Sequence, residues 1–95
     1  MYNKPLLKIG AIYEKDKITL KESDQFRVGR TGTIENLNIG TPLYFKYTEN
    51  SKMLMTSFVI DYQEDEYGIS IETENSCYRF DYVKEDRMDD TKILF

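Results

Sequence analysis

Apolar and polar residues alternate with a period of two along the second half of the chain. In Leu43-Tyr44-Phe45-Lys46-Tyr47-Thr48, the residues Leu43, Phe45 and Tyr47 share one face. In the run from Tyr67 to Thr73, Ile69, Ile71 and Thr73 share one face. From Cys77 to Val83, Tyr78, Phe80 and Tyr82 stand opposite Arg79 and Asp81. Successive side chains of a strand point to opposite faces, so this pattern predicts strands with one buried face. Residues 53–62 form a longer run rich in apolar and β-branched residues. It predicts a strand covered on both faces, or one that bends and serves two sheets. Helical periodicity is weak, and residues 33–38 and 84–90 leave room for one short turn each.

The turns fall between these runs. Thr48-Glu49-Asn50-Ser51 and Thr73-Glu74-Asn75-Ser76 each separate two strand candidates, and Asn tolerates the left-handed backbone of tight turns. The sequences around the two tetrapeptides differ, which favours shared turn chemistry over duplication. Residues 63–66, followed by Tyr67-Gly68, predict a third, wider turn. Together these give a four-stranded meander over residues 43–83. Upstream, residues 6–13 and 17–21 flank the charged turn Glu14-Lys15-Asp16. Residues 25–30 and 33–35 flank a hairpin turn at Gly29-Arg30-Thr31-Gly32. Residues 1–42 are therefore read as N-terminal hairpins, with a loop at 38–42 where Gly40 and Pro42 punctuate the chain. Residues 84–95 read as an acidic connector ending in a candidate closing strand, Lys92-Ile93-Leu94-Phe95. The expectation is a single, mostly β domain over residues 1–95. Six to eight short strands would form a small SH3-like barrel or a strongly curved antiparallel sheet.

Composition narrows the chemistry. The 95 residues contain no histidine and one cysteine, Cys77. The usual base of a nucleophilic triad and the commonest metal ligand are thus missing, and no internal disulfide can form. Neither a zinc-ligand spacing nor a Gly-rich phosphate motif occurs. Gly29-Arg30-Thr31-Gly32 matches the GxxG clamp of KH domains in spacing, but those loops join helices, and strands flank it here. The carboxylates of residues 61–66 lack the glycine an EF-hand requires at its sixth position. They read as a solvated turn, where their pKa values stay ordinary. No catalytic residue, metal or cofactor is assigned, and no enzyme is expected. The chain has no apolar stretch approaching the ~20 residues of a membrane span, and no signal-peptide stretch at Met1. Small secreted domains are often disulfide-rich, so a cytoplasmic setting is expected.

Thirteen aromatic residues, eight Tyr and five Phe, suit the filling of a small barrel. Tyr44, Tyr62 and Tyr67 lie opposite or outside the clearest core faces and are candidate contact residues. Charge is uneven: the net −4 divides into +3 over residues 1–48 and −7 over residues 49–95. Acids cluster at Glu64-Asp65-Glu66 and at Glu85-Asp86 with Asp89-Asp90. One reading is solubility, since charged turns protect sheet edges. The other is an acidic surface that docks on a basic groove, carboxylates standing in for phosphates. On it, Glu64, Asp65, Glu66, Asp86, Asp89 and Asp90 are the anionic contacts, and Tyr67 is an aromatic anchor. The alternative uses the basic half. There Lys4, Lys8, Lys15, Lys17, Lys21, Arg27 and Arg30 would line a groove for nucleic acid, with Tyr13 and Phe26 interleaved. An exposed sheet edge would equally serve a homodimer.

Gly40-Thr41-Pro42-Leu43-Tyr44-Phe45, Met53-Leu54-Met55-Thr56-Ser57 and Asn75-Ser76-Cys77-Tyr78-Arg79-Phe80 resemble small uncharacterised β-barrel proteins of Gram-positive bacteria and their phages. The resemblance covers under half of the chain and implies no activity. Residues 49–57 and the ending Lys92-Ile93-Leu94-Phe95 are similar to the phage inhibitors of uracil-DNA glycosylase. That likeness implies a small, acidic, β-rich DNA mimic. The expected function is a non-enzymatic binding protein: a phage or mobile-element inhibitor of a host nucleic-acid-processing or defence protein.

Overall fold

The computed structural model describes residues 4–83. Six strands form one ring: β1 (Leu7–Tyr13), β2 (Thr31–Asn36), β3 (Pro42–Tyr47), β4 (Met53–Asp65), β5 (Gly68–Thr73) and β6 (Cys77–Tyr82). Each strand pairs antiparallel with its chain neighbour, and β6 returns to β1 to close the barrel. The expected mostly β small barrel is therefore present, at the lower strand count. The closing strand expected at Lys92-Ile93-Leu94-Phe95 lies outside the described residues.

Alternation builds the interior. Leu43, Phe45 and Tyr47 from β3, Ile69 and Ile71 from β5, and Tyr78 and Phe80 from β6 are buried together with Leu7, Ile9, Ile12, Leu54 and Val59. At the centre the Phe45 ring lies 4.8 Å from Phe80 and 5.8 Å from Tyr47, centroid to centroid. A buried side chain of this size contributes roughly 1.5–3 kcal/mol, which is what holds so small a ring shut. Extra residues break the register in β1 beside Gly10, in β2 at Glu35 and in β4 at Ile60. Such bulges bend strands and allow closure. In β4 a further irregularity is bridged by a side chain: the Leu43 N–H donates to Thr56 Oγ1 at 3.1 Å.

The N-terminal part departs from the expected hairpins. Residues 17–21 contribute a single bridge, Leu20 to Tyr13. Residues 25–30 are not a strand, because Glu22–Arg27 form a short 3-10 helix. Gly29-Arg30-Thr31-Gly32 is not a hairpin turn either. Gly29 turns the chain at a φ of +94°, and β2 begins at Thr31. Side chains are the cause. Asp16 accepts the N–H groups of Ile18 and Thr19 and the Thr19 hydroxyl, folding residues 16–19 into a local loop. Gln25 donates to the carbonyls of Ile12 and Lys21, docking the helix on β1. β1 and β2 pair directly at only two positions, Leu7–Gly32 and Lys8–Thr31. The helix and the turn after it fill the rest of that seam, where Ile9 N–H donates to Arg30 O and Gly29 N–H to Ile9 O. At Gly32 a Cβ would stand 2.1 Å from the Lys46 carbonyl oxygen, so only glycine lets β2 and β3 approach there.

Candidate partner interface

β4 is 13 residues long, while its neighbours β3 and β5 have six each. Its pairing with β3 ends at Phe58. The preceding loop adds two bonds at Val59, from Gly40 N–H to Val59 O and from Val59 N–H to Thr41 O. Beyond the extra residue Ile60, the strand runs to Asp65 with β5 alone beside it. Of the two expectations for residues 53–62, cover on both faces is not met, and the strand passes from β3 to β5 within one closed sheet rather than serving two sheets. The same strand also corrects the wide solvated turn expected at residues 61–66. The carboxylates up to Asp65 lie in the strand, and Glu66-Tyr67 alone make the turn.

Asp65 fixes that turn. Its Oδ1 accepts the N–H of Tyr67 at 2.7 Å and of Gly68 at 3.0 Å. Arg79 clamps both of its oxygens at 3.1 Å. The Arg79 hydrogen bonds first, then the Tyr67 backbone bond, hold the Asp65 carboxyl well below its ordinary range, at about 2. Arg79 also donates to Asp81 Oδ1 and Ser70 Oγ, each at 3.0 Å. Gly68 is required behind the turn, because a Cβ there would stand 2.0 Å from the Phe80 carbonyl oxygen. Glu64 accepts a hydrogen bond from the Tyr82 hydroxyl.

The four sequence-predicted contacts in the described residues, Glu64, Asp65, Glu66 and Tyr67, therefore come together at one hairpin end. Their roles differ. Asp65 is committed to Arg79 and to the turn, and Glu64 meets Tyr82. Glu66 is exposed, and Tyr67 is 62% exposed at the tip. Asp86, Asp89 and Asp90 lie outside the described residues.

The sequence reading missed an apolar row on the same strand. Met53, Met55, Phe58, Ile60 and Tyr62 are each between 42% and 64% exposed. The run from Met53 to Tyr62 reads as apolar on both faces, which suggested cover on both. The inner face is covered only as far as Val59, and Tyr62, on the face of buried Ile71, is exposed with the outer residues. Of the other candidate aromatics, Tyr44 lies opposite Met55 and is half-buried.

A groove of about 430 Å³ runs beside the distal half of β4, over Ser70, Glu72, Cys77 and Arg79, with Lys17 at its side. Glu72 there bridges Lys15 at 2.9 Å and Lys17 at 3.3 Å, and Lys15 above all draws its pKa down. Burial pushes the Cys77 thiol up, which disfavours the reactive thiolate. Among the described residues no group of three His, Cys, Asp or Glu side chains is placed to hold a metal. No helix among them is long and apolar enough to cross a membrane.

Pairing separates the two charged halves. Lys4 meets Glu35 at 2.6 Å, Lys21 and Arg27 meet Asp24, and Arg30 meets Glu49. With Lys15 and Lys17 on Glu72, six of the seven basic residues named for the nucleic-acid reading have a carboxylate within 4 Å, Lys8 being the exception. The distal hairpin is the reverse. Among the described residues, Asp61, Glu64 and Glu66 have no cation within 4 Å. Comparisons with protein-family models, curated proteins and solved structures give no match.

Proposed function

We propose that this barrel is a non-enzymatic binding protein that engages a basic partner protein through the distal half of β4 and its turn. One observation carries the reading. Carboxylates without a cation partner among the described residues (Asp61, Glu64, Glu66) share the distal half of the β4–β5 hairpin with the exposed aromatics Tyr62 and Tyr67. Aromatic side chains supply interface area, and uncompensated charge steers encounter with a basic groove. The clamp of Arg79 on Asp65 makes the scaffold rigid, so the contact groups are presented with little entropy left to lose. In its most concrete form the protein is a phage or mobile-element inhibitor. Its carboxylates occupy the phosphate track of a host nucleic-acid-processing or defence protein. Direct nucleic-acid binding by the basic half is the weaker reading, because the bases there are already paired with acids.

The test is affinity capture from a Gram-positive bacterial lysate, with and without nuclease, read by mass spectrometry. The wild type is compared with a triple variant carrying Asp61→Lys, Glu64→Lys and Glu66→Lys. The expected result is one nucleic-acid-processing protein, retained after nuclease, released by salt and lost with the variant. Retention of nucleic acid alone, or equal retention by the variant, overturns the proposal.

A further inference from the structure

We infer that the open edge of β4 over residues 60–65 is a strand-addition site, and that its occupant is an extended basic segment of the partner protein. The inference rests on the interface reading above and specifies how the partner docks. β3 pairs with β4 only as far as Phe58, and the loop's bonds stop at Val59. From there to Asp65 one edge of β4 faces β5 and the other has no strand against it among the described residues.

The register shows which backbone groups that edge offers. Asp65 and Gly68 face each other across a two-residue turn, so they form a hydrogen-bonded pair. Bonded and non-bonded pairs alternate in an antiparallel ladder, so Gln63 and Asp61 also bond to β5. The backbone groups of Tyr62 and Glu64 therefore point to the open edge. Asp61 Oδ1 already accepts the Tyr62 N–H at 2.9 Å. The Glu64 N–H and the carbonyls of Tyr62 and Glu64 are left for an incoming strand.

Charge selects the occupant. Proteins often blunt such edges with lysine or proline, and residues 60–65 contain neither. They hold Asp61, Glu64 and Asp65 instead. A second copy pairing antiparallel about Gln63 would set Asp61 against Asp65, two like charges directly opposite, which is destabilising. A basic strand gains where a second copy loses. Asp61 shares a face with Glu72, and Glu64 lies on the other face with Ile69, so a strand with alternate lysines meets a carboxylate whichever way it faces. Strand addition takes affinity from main-chain bonds and specificity from alternate side chains.

The test uses the full chain and an octapeptide of alternating lysine and valine at low salt. A control peptide carries the same sequence with alternate backbone amides N-methylated. The expected result is amide shifts confined to residues 58–67 and at least tenfold slower hydrogen exchange at the Glu64 amide, with the unmethylated peptide only. Glu64→Pro, which removes the edge donor, weakens binding at least tenfold, and Glu64→Gln, which removes only charge, weakens it less. If the Pro variant does not fold by circular dichroism, the methylated peptide carries the comparison. Equal binding of both peptides keeps an acidic contact surface and overturns strand addition. No binding of either, or a concentration-dependent dimer protecting the same amides, overturns it as well. Loss of partner capture on charge reversal is read separately, in the lysate experiment.

Discussion

The two halves of β4 have the same backbone conformation and opposite surroundings. Over residues 53–58 the strand lies beside β3, with the turn after β5 reaching only Ser57 and Phe58, and Leu54 and Thr56 are turned into the barrel. Over residues 60–65 it has β5 on one side only, and every side chain is exposed. Strand length is the difference. A neighbour of six residues cannot accompany one of 13, so the strand outruns β3 and continues beside β5. The first half contributes to stability through burial. The second half adds little apolar burial but carries uncompensated charge, exposed rings and unused edge groups. A folded core and a contact surface can thus be continuous in one strand.

The widest gap between the halves is expected in stability. Leu54→Ala, on the inner face, should cost about 2–5 kcal/mol in urea unfolding. Ile60→Thr and Tyr62→Ser, at exposed positions of the second half, should each stay within about 0.5 kcal/mol while weakening partner capture. If Tyr62→Ser cost as much as Leu54→Ala, the second half would be packed and the contrast would fail.

A smaller effect should separate the two Thr-Glu-Asn-Ser turns that flank β4 and β5. Thr73 is fully buried. Its Oγ1 accepts the Ser76 N–H at 3.2 Å and donates to Ser76 O at 3.0 Å. Thr48 is exposed, and its hydroxyl makes one 3.3 Å contact with the Thr31 hydroxyl. Thr73→Val should cost about 1–3 kcal/mol, because it strands a buried amide. Thr48→Val should cost about 0.5 kcal/mol or less in the same denaturation measurement.

The smallest expected effect is the acid response of the distal half. The folded Asp65 carboxyl, at about 2, lies below its ordinary 3.8. Its contribution is therefore fully present above the ordinary value and is lost as pH falls from there through about 2. Arg79→Met should return the carboxyl toward 3.8, read from the Asp65 carboxyl carbon shift in an NMR titration. An unmoved midpoint would mean that the turn amides alone hold the carboxylate.

Alternation made the faces of β3, β5 and β6 legible, because burial on one side of a strand imposes a period of two whatever the rest of the chain does. The run from Met53 to Tyr62, apolar on both faces, was legible as a long strand, but whether it was covered on both faces or served two sheets was left open. Turns were legible as places but not as conformations. The first tetrapeptide bends at Ser51, with φ +61°, while the Asn50 side chain accepts the Lys52 N–H. In the second, no residue takes positive φ, and Thr73 closes on Ser76. Four identical residues diverge because one turn is in water and the other under the barrel wall. Residues 17–30 misled for a related reason. The bonds of Asp16 and Gln25, which join residues two to 13 positions apart, outweigh a local strand preference.

The acidic turn was visible as a cluster. That Asp65 is spent on Arg79, 14 residues away, was not. Composition and periodicity determined a mostly β barrel without histidine chemistry and with most of its acids in the second half. Ring closure decided the rest: which carboxylates found cations, which apolar residues of β4 stayed in water, and which edge remained open. These depend on where strands of unequal length end against one another, and that is settled only when the ring is built.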